Sequence, residues 1–283
     1  MQSPAGSRCS KGRALLAALL LAAAPAPAGT EPPGEDAVGA ERVVAAAFAR
    51  RYACAITGVV EISARKGEMQ ALKRRIHIAA KFLDGRLHTY AVFREPQYVR
   101  GMTFLGVESE DPRGSEDQFV YLPSMKKIRR VSGSQPTDSF LGTDLSYHDF
   151  QRQRPDRYRS LGMRASTHGG EPVERVRMEP RFDAPYTSVE YVIASSDRAI
   201  LATDYFKRTS QRPYKRMRMP RARIVSGERC AVPTHILVED DQRGTRTELV
   251  ITELRTDAPI DDALFTTAAL ETRRDVPGIQ DRR

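Results

Sequence analysis

Five histidines, His77, His88, His148, His168 and His235, are the side chains best suited to metal or acid–base work near neutral pH. They are scattered, with no HExxH and no Cys–His cluster, so no metal site is expected. No Gly-x-Ser-x-Gly elbow, Ser-x-x-Lys or glycine-rich phosphate loop after a strand occurs. The neighbouring acids Asp240–Asp241 and Asp261–Asp262 fall at turns and read as solvated turn residues, because adjacent strand positions face opposite sides. No nucleophile with its base can be assembled, so neither enzymatic activity nor a cofactor is expected.

Chemistry of another kind gathers between Arg94 and Asp149. The cations Lys126, Lys127, Arg129 and Arg130 follow a Tyr121-Leu122-Pro123 turn and precede Phe140-Leu141-Gly142-Thr143-Asp144. A basic hairpin beside an apolar opening suits a ligand with an anionic head and fatty tails, although plain solvation would also explain the cations. A second basic run, Arg212 to Arg223, contains Pro213 and Pro220 and reads either as edge-strand protection or as a surface for anionic lipid heads or an acidic partner.

The elements that must position these residues are mostly strands. Glu35 and Asp36 introduce an amphipathic helix with Val44, Phe48 and Tyr52 on one face and Arg50 and Arg51 in its last turn. The period then changes to two. Ile56, Gly58, Val60, Ile62 and Ala64 form one stripe, Ile76, Ile78, Ala80 and Phe82 another, and Asp84–Gly85 predicts a two-residue hairpin. Further strands are expected at 98–108, 118–122, 127–131, 158–166, 173–180, 188–195, 200–207, 214–225, 234–239 and 246–255. Thr137 or Asp138 can cap a short helix running to Asp149.

A sheet this wide cannot stay flat, since its edges would invite aggregation. The expected fold class is mainly β (α+β): a strongly curved antiparallel sheet forming an incomplete barrel, with helices covering the open side. The inward stripes would then enclose an apolar cavity or a filled core, which the pattern alone does not distinguish.

Residues 1–28 read as a signal peptide. Arg8, Lys11 and Arg13 precede an apolar run from Ala14 to Ala24 and then Ala26-Pro27-Ala28, and the run is shorter than the roughly 20 residues that span a bilayer. Residues 29–34 form an exposed leader, 35–271 the binding domain and 272–283 a solvated tail. The whole chain carries +9; 45 basic residues less the three of the signal, against 36 acidic, leave +6 after cleavage. That charge favours encounter with anionic lipid surfaces, and no nucleic-acid motif is present. Cys54 and Cys230 remain, either as one disulfide or as two buried thiols.

Gly101-Met102-Thr103-Phe104-Leu105, Tyr121-Leu122-Pro123, Arg129-Arg130 and above all Asp138-Ser139-Phe140-Leu141-Gly142-Thr143-Asp144-Leu145-Ser146-Tyr147-His148-Asp149 resemble the outer-membrane lipoprotein-sorting protein family, which is LolA-like. The resemblance implies a LolA/LolB-like curved sheet around an apolar cavity that carries the acyl chains of a lipid or lipoprotein across the periplasm of a Gram-negative bacterium. It implies an inner-membrane exporter of the resistance-nodulation-division or ABC type as partner, transient membrane contact, a monomer and no catalysis. On this reading Phe104, Phe119, Tyr121, Phe140, Leu141 and Leu145 line or plug the cavity, and Arg129 and Arg130 stand at its rim. Gly142 would permit a bend, and Asp144 and Asp149 would fix the short helix. The alternative is a non-carrier docking subunit of an envelope transport or assembly complex.

Overall fold

The period-two stretches pair with their chain neighbours, so most of the hydrogen-bond ladder is local. The computed structural model describes residues 35–280 except 70, 112–115, 132–139, 141–142, 151, 153 and 209. The expected signal segment and leader, and Thr137, Asp138, Leu141 and Gly142, lie outside the described residues.

Helix α1 (Glu35–Tyr52) leads into β1 (Ile56–Lys66), β2 (Leu72–Leu83), β3 (Arg86–Glu95), β4 (Thr103–Val107), β5 (Asp117–Leu122) and β6 (Lys127–Val131). A second run follows: β7 (Tyr158–His168), β8 (Glu171–Pro180), β9 (Ser188–Ala194), β10 (Ile200–Phe206) and β11 (Lys215–Arg218). Next come β12 (Ile224–Ser226) with β13 (Ala231–Pro233), then β14 (His235–Asp240), β15 (Thr245–Thr256) and the short helix α2 (Thr267–Thr272). Among the described residues, 13 strands form one sheet in the order β6-β5-β4-β3-β2-β1-β15-β14-β11-β10-β9-β8-β7, and β12 pairs with β13 apart from it. Among the described residues every ladder is antiparallel, and β6 and β7 are the two ends of a sheet that does not close.

Turn chemistry sets several of these joints. The β2–β3 hairpin turns on Asp84 and Gly85 at φ 49° and 75°, the left-handed pair that a two-residue hairpin requires. Where Thr57 and Val59 of β1 pair with Arg255 and Thr252, β15 carries a bulge: Glu253, at φ 52°, and Leu254 stand against the single β1 residue between Thr57 and Val59. At Gly58, between them, a Cβ would come within 3.1 Å of Ile251. A bulge with a glycine is a place where a sheet bends.

Bending is visible in the core. One apolar cluster joins Val60, Ile76, Phe93 and Phe104 of β1–β4 to Met178, Tyr191, Tyr205 and Val238 of β8–β14, so the two halves of the sheet face each other. Helix α1 enters the same cluster through Ala40, Val44, Ala47 and Phe48, and Phe48 meets Tyr191 edge-on at 5.3 Å. Its packing partners are β7, β9 and β13. The other face of β1–β5 holds a second cluster, in which Val59, Tyr90, Val92 and Leu105 pack against Leu264, Phe265, Leu270 and Val276.

Several expectations are corrected. Helix α2 packs on β4, β5 and β6 as part of this second cluster, not on the face that α1 occupies. Of the mid-chain helix expected from 137 to 149, residues 140 and 143–149 are described; Tyr147–Phe150 is a 3₁₀ turn, and Asp144 and Asp149 are committed to distant strands instead of to helix ends. The single strand expected at 214–225 is two: Pro220 supplies no N–H, the ladder stops at Arg218, and β12 leaves the main sheet. Residues 272–280 are not a solvated tail, since Val276 and Ile279 are buried and Tyr90 donates its hydroxyl to the Arg274 carbonyl at 2.9 Å. An apolar outer face on β1–β5 has to be covered, and these residues cover it.

Candidate functional site

The even-numbered stripe of β1 and the matching residues of β2 and β3 face inward over a cavity of about 200 Å³. Val60 and Ile62, Ile76 and Ile78, Ala91 and Phe93, and Phe104 of β4 form one wall; Ile236, Leu249 and Ile251 of β14 and β15 form the next. Arg51 and Tyr52 at the end of α1 and Val232 and Pro233 of β13 line it from the helix side, and Phe140 and Asp149 also face it. The wall is therefore hydrocarbon with very few polar groups, which is what a site for an apolar ligand requires.

Phe140 and the segment 143–149 are held against this space by hydrogen bonds. Phe140 N donates to the Leu145 carbonyl at 2.6 Å, and Thr143 Oγ1 donates to the Phe140 carbonyl at 2.7 Å. Phe140 packs on Phe93 with ring centroids 6.1 Å apart. Asp144 accepts from Thr247 Oγ1 at 2.8 Å and also from Thr245, both on β15. Asp149 accepts from Lys215 Nζ of β11 at 2.5 Å, from Ser146 N at 2.7 Å and from Ser146 Oγ at 2.8 Å. Two carboxylates thus pin one segment to two different strands.

Burial alone would push the Asp149 carboxyl up, but the Lys215 ammonium and the hydrogen bonds from Lys215 and Ser146 outweigh it and hold it below the usual carboxylate range. A carboxylate so stabilised is a poor proton acceptor, and its role is to anchor. Nearby, burial pushes the hydroxyls of Tyr158, Tyr186, Tyr191 and Tyr205 well above their ordinary value, so all four stay protonated. Tyr158 and Tyr186 share a hydrogen bond at 2.8 Å, and His148 Nε2 meets Tyr186 at 3.2 Å. Among the described residues no group of three or more His, Cys, Asp or Glu could hold a metal ion.

The expected site residues divide. Phe104 and Phe140 lie on the cavity, and Leu145 is buried in the same apolar cluster. Leu141 is outside the described residues. Phe119 and Tyr121 pack in the cluster on the opposite face, because Phe119 pairs with Leu105 and Tyr121 with Thr103, whereas Phe104 pairs with Val120. Arg129 and Arg130 are exposed on β6, away from the cavity lining, and Arg130 is ion-paired with Asp117. Cys54 and Cys230 form a disulfide, Cα–Cα 5.7 Å, linking the chain just after α1 to that just before β13. Arg51 and Tyr52 were marked in the sequence only as the end of an amphipathic helix, and Val232 and Pro233, like most of the strand residues on the wall, carried no mark of a site.

No helix among the described residues is long and apolar enough to cross a membrane. A family model described only as that of an uncharacterized protein matches residues 85–272. No curated protein matches the chain. Solved structures do: an outer membrane lipoprotein-sorting protein domain from Vibrio parahaemolyticus is 18% identical with a TM-score of 0.75, covering 83% of this chain and 99% of that one. A DUF1329 family protein from Desulfovibrio piger is 23% identical with a TM-score of 0.75, over 83% and 99% of the two chains. A LolA superfamily protein from Nitrosomonas europaea is 18% identical with a TM-score of 0.62, over 81% and 98%.

Proposed function

Because the chain belongs to the family whose model spans most of its sheet, and has the fold of the LolA-like lipoprotein-sorting proteins, we propose that it is a periplasmic carrier of acyl chains. It takes lipid or the lipid moiety of a lipoprotein between inner and outer membranes, makes transient membrane contact, receives cargo from an inner-membrane exporter, and performs no catalysis. The observation that carries this reading is the apolar cavity between the two halves of the sheet, with Phe140 held at its edge.

Burying one CH₂ is worth ~0.8 kcal/mol, so a chain of about 14 carbons resists transfer into water by on the order of 10 kcal/mol. A carrier that offers hydrocarbon walls removes most of that barrier. An apolar cavity of ~150 Å³ takes up a six-carbon ring, and by that ratio the 200 Å³ here takes about eight carbons. A full chain therefore extends beyond this space.

Filling the cavity tests the proposal. Ala91 is 7% exposed on its wall, and Ala91→Phe should cut the lipid recovered from protein purified without detergent at least fivefold while the melting temperature stays within a few degrees. Wild-type protein free of lipid and unable to take up a fatty acid, or equal lipid in the variant, would defeat it.

A further inference from the structure

The last turn of α1 holds two arginines that are used in opposite ways. Arg50 donates to the Gly227 and Glu228 carbonyls at 2.6 and 2.5 Å, fastening the helix to the loop before β13. Arg51 turns instead to the cavity, which it lines together with Tyr52. Its guanidinium lies over the Tyr52 ring, 5.7 Å from the centroid, and reaches one weak acceptor, Met219 Sδ at 3.8 Å; among the described residues it forms no ion pair with a carboxylate.

The other charges at the cavity cancel, since Asp149 is paired with Lys215. One net cation is left facing hydrocarbon. Its charge is felt inside: burial pushes the Tyr191 and Tyr205 hydroxyls up, and Arg51 partly offsets this at both. A half-buried guanidinium with no counter-ion is costly, and an incoming anion lowers that cost. Its planar fork suits the paired oxygens of a carboxylate or phosphate.

We propose that Arg51 binds the oxyanion head, carboxylate or phosphate ester, of an amphiphile whose tail lies along β1–β3 toward Phe93 and Phe104. This rests on the carrier reading and adds a ligand class to it: acyl chains with an anionic head at the α1 end.

The test is competition binding with hexadecanoate, hexadecyl phosphate and methyl hexadecanoate at pH 8 on the full-length mature protein. At least one of the two anions should bind about tenfold more tightly than the ester, and the tighter of the two identifies the head. In Arg51→Leu that preference, read as the ratio of anion to ester affinity within the variant, should vanish; in Arg51→Lys, which retains the charge without the fork, it should shrink but persist. Equal wild-type affinity for anions and ester, or an undiminished preference in Arg51→Leu, overturns the assignment and leaves the carrier reading standing. Binding of none of the three overturns both.

Discussion

Asp149 and Lys215 have side chains only 3% and 9% exposed, so each depends on the other for its charge. Asp149→Asn strands the ammonium and should cost about 3–5 kcal/mol, read as a lower urea midpoint at pH 7. The acid side separates this from a packing effect. The folded carboxyl titrates lower than the unfolded one, so its contribution is complete above the unfolded value of about 3.9 and is lost as pH falls through that value toward the lowered one. The wild-type midpoint should fall over that window more steeply than the variant's; parallel curves would refute the pairing. Asp144 and Asp149 stood out in the sequence as part of a dense pattern. Their partners did not, because Thr247 and Lys215 lie 103 and 66 residues away. Arg51 was legible only as a cation at a helix end, and the direction in which it turns depends on Met219 and β13.

At the scale of elements, alternation made most strands readable, from the β2–β3 hairpin to β6 at Lys127–Val131. What alternation does not carry is which parity faces which side once strands are paired. Phe104 and Phe119 are both aromatic strand residues, yet the β4–β5 register puts them on opposite faces. The charge-rich C-terminal residues misled for a related reason: Val276 and Ile279 are two apolar side chains among arginines and aspartates, and only the uncovered face of β3 and β4 gives them a place. Deleting residues 275–283 should therefore cost about 3–6 kcal/mol, from two buried aliphatic side chains at ~1.5–3 kcal/mol each. The check is thermal denaturation, and an unchanged melting temperature would show that the segment is dispensable.

For the whole molecule, curvature followed from the width of the sheet and the need to manage its edges, but the outcome, empty space instead of a filled core, did not. Nor did the nearness of Cys54 and Cys230, whose sequence separation is 176. Closing so long a loop limits the unfolded chain, so Cys54→Ser with Cys230→Ser should lose about 2–5 kcal/mol, and reductant should lower the wild-type melting temperature to that of the double variant. Insensitivity to reductant would mean that the bridge is absent in solution.

The β1–β15 ladder joins residues near 56 to residues near 256 and is the seam between two runs of local hairpins. Each run can zip up from contacts between neighbours in the chain, but among the described ladders the seam has the longest separation and bears the largest loop-closure entropy. Until the final strand has been made and delivered, β1 has a bare flank and the enclosure has only half its wall. Assembly order thus places completion of the interior after β15 has emerged, and a chain caught before that point presents a greasy, unzipped margin to whatever chaperone escorts it.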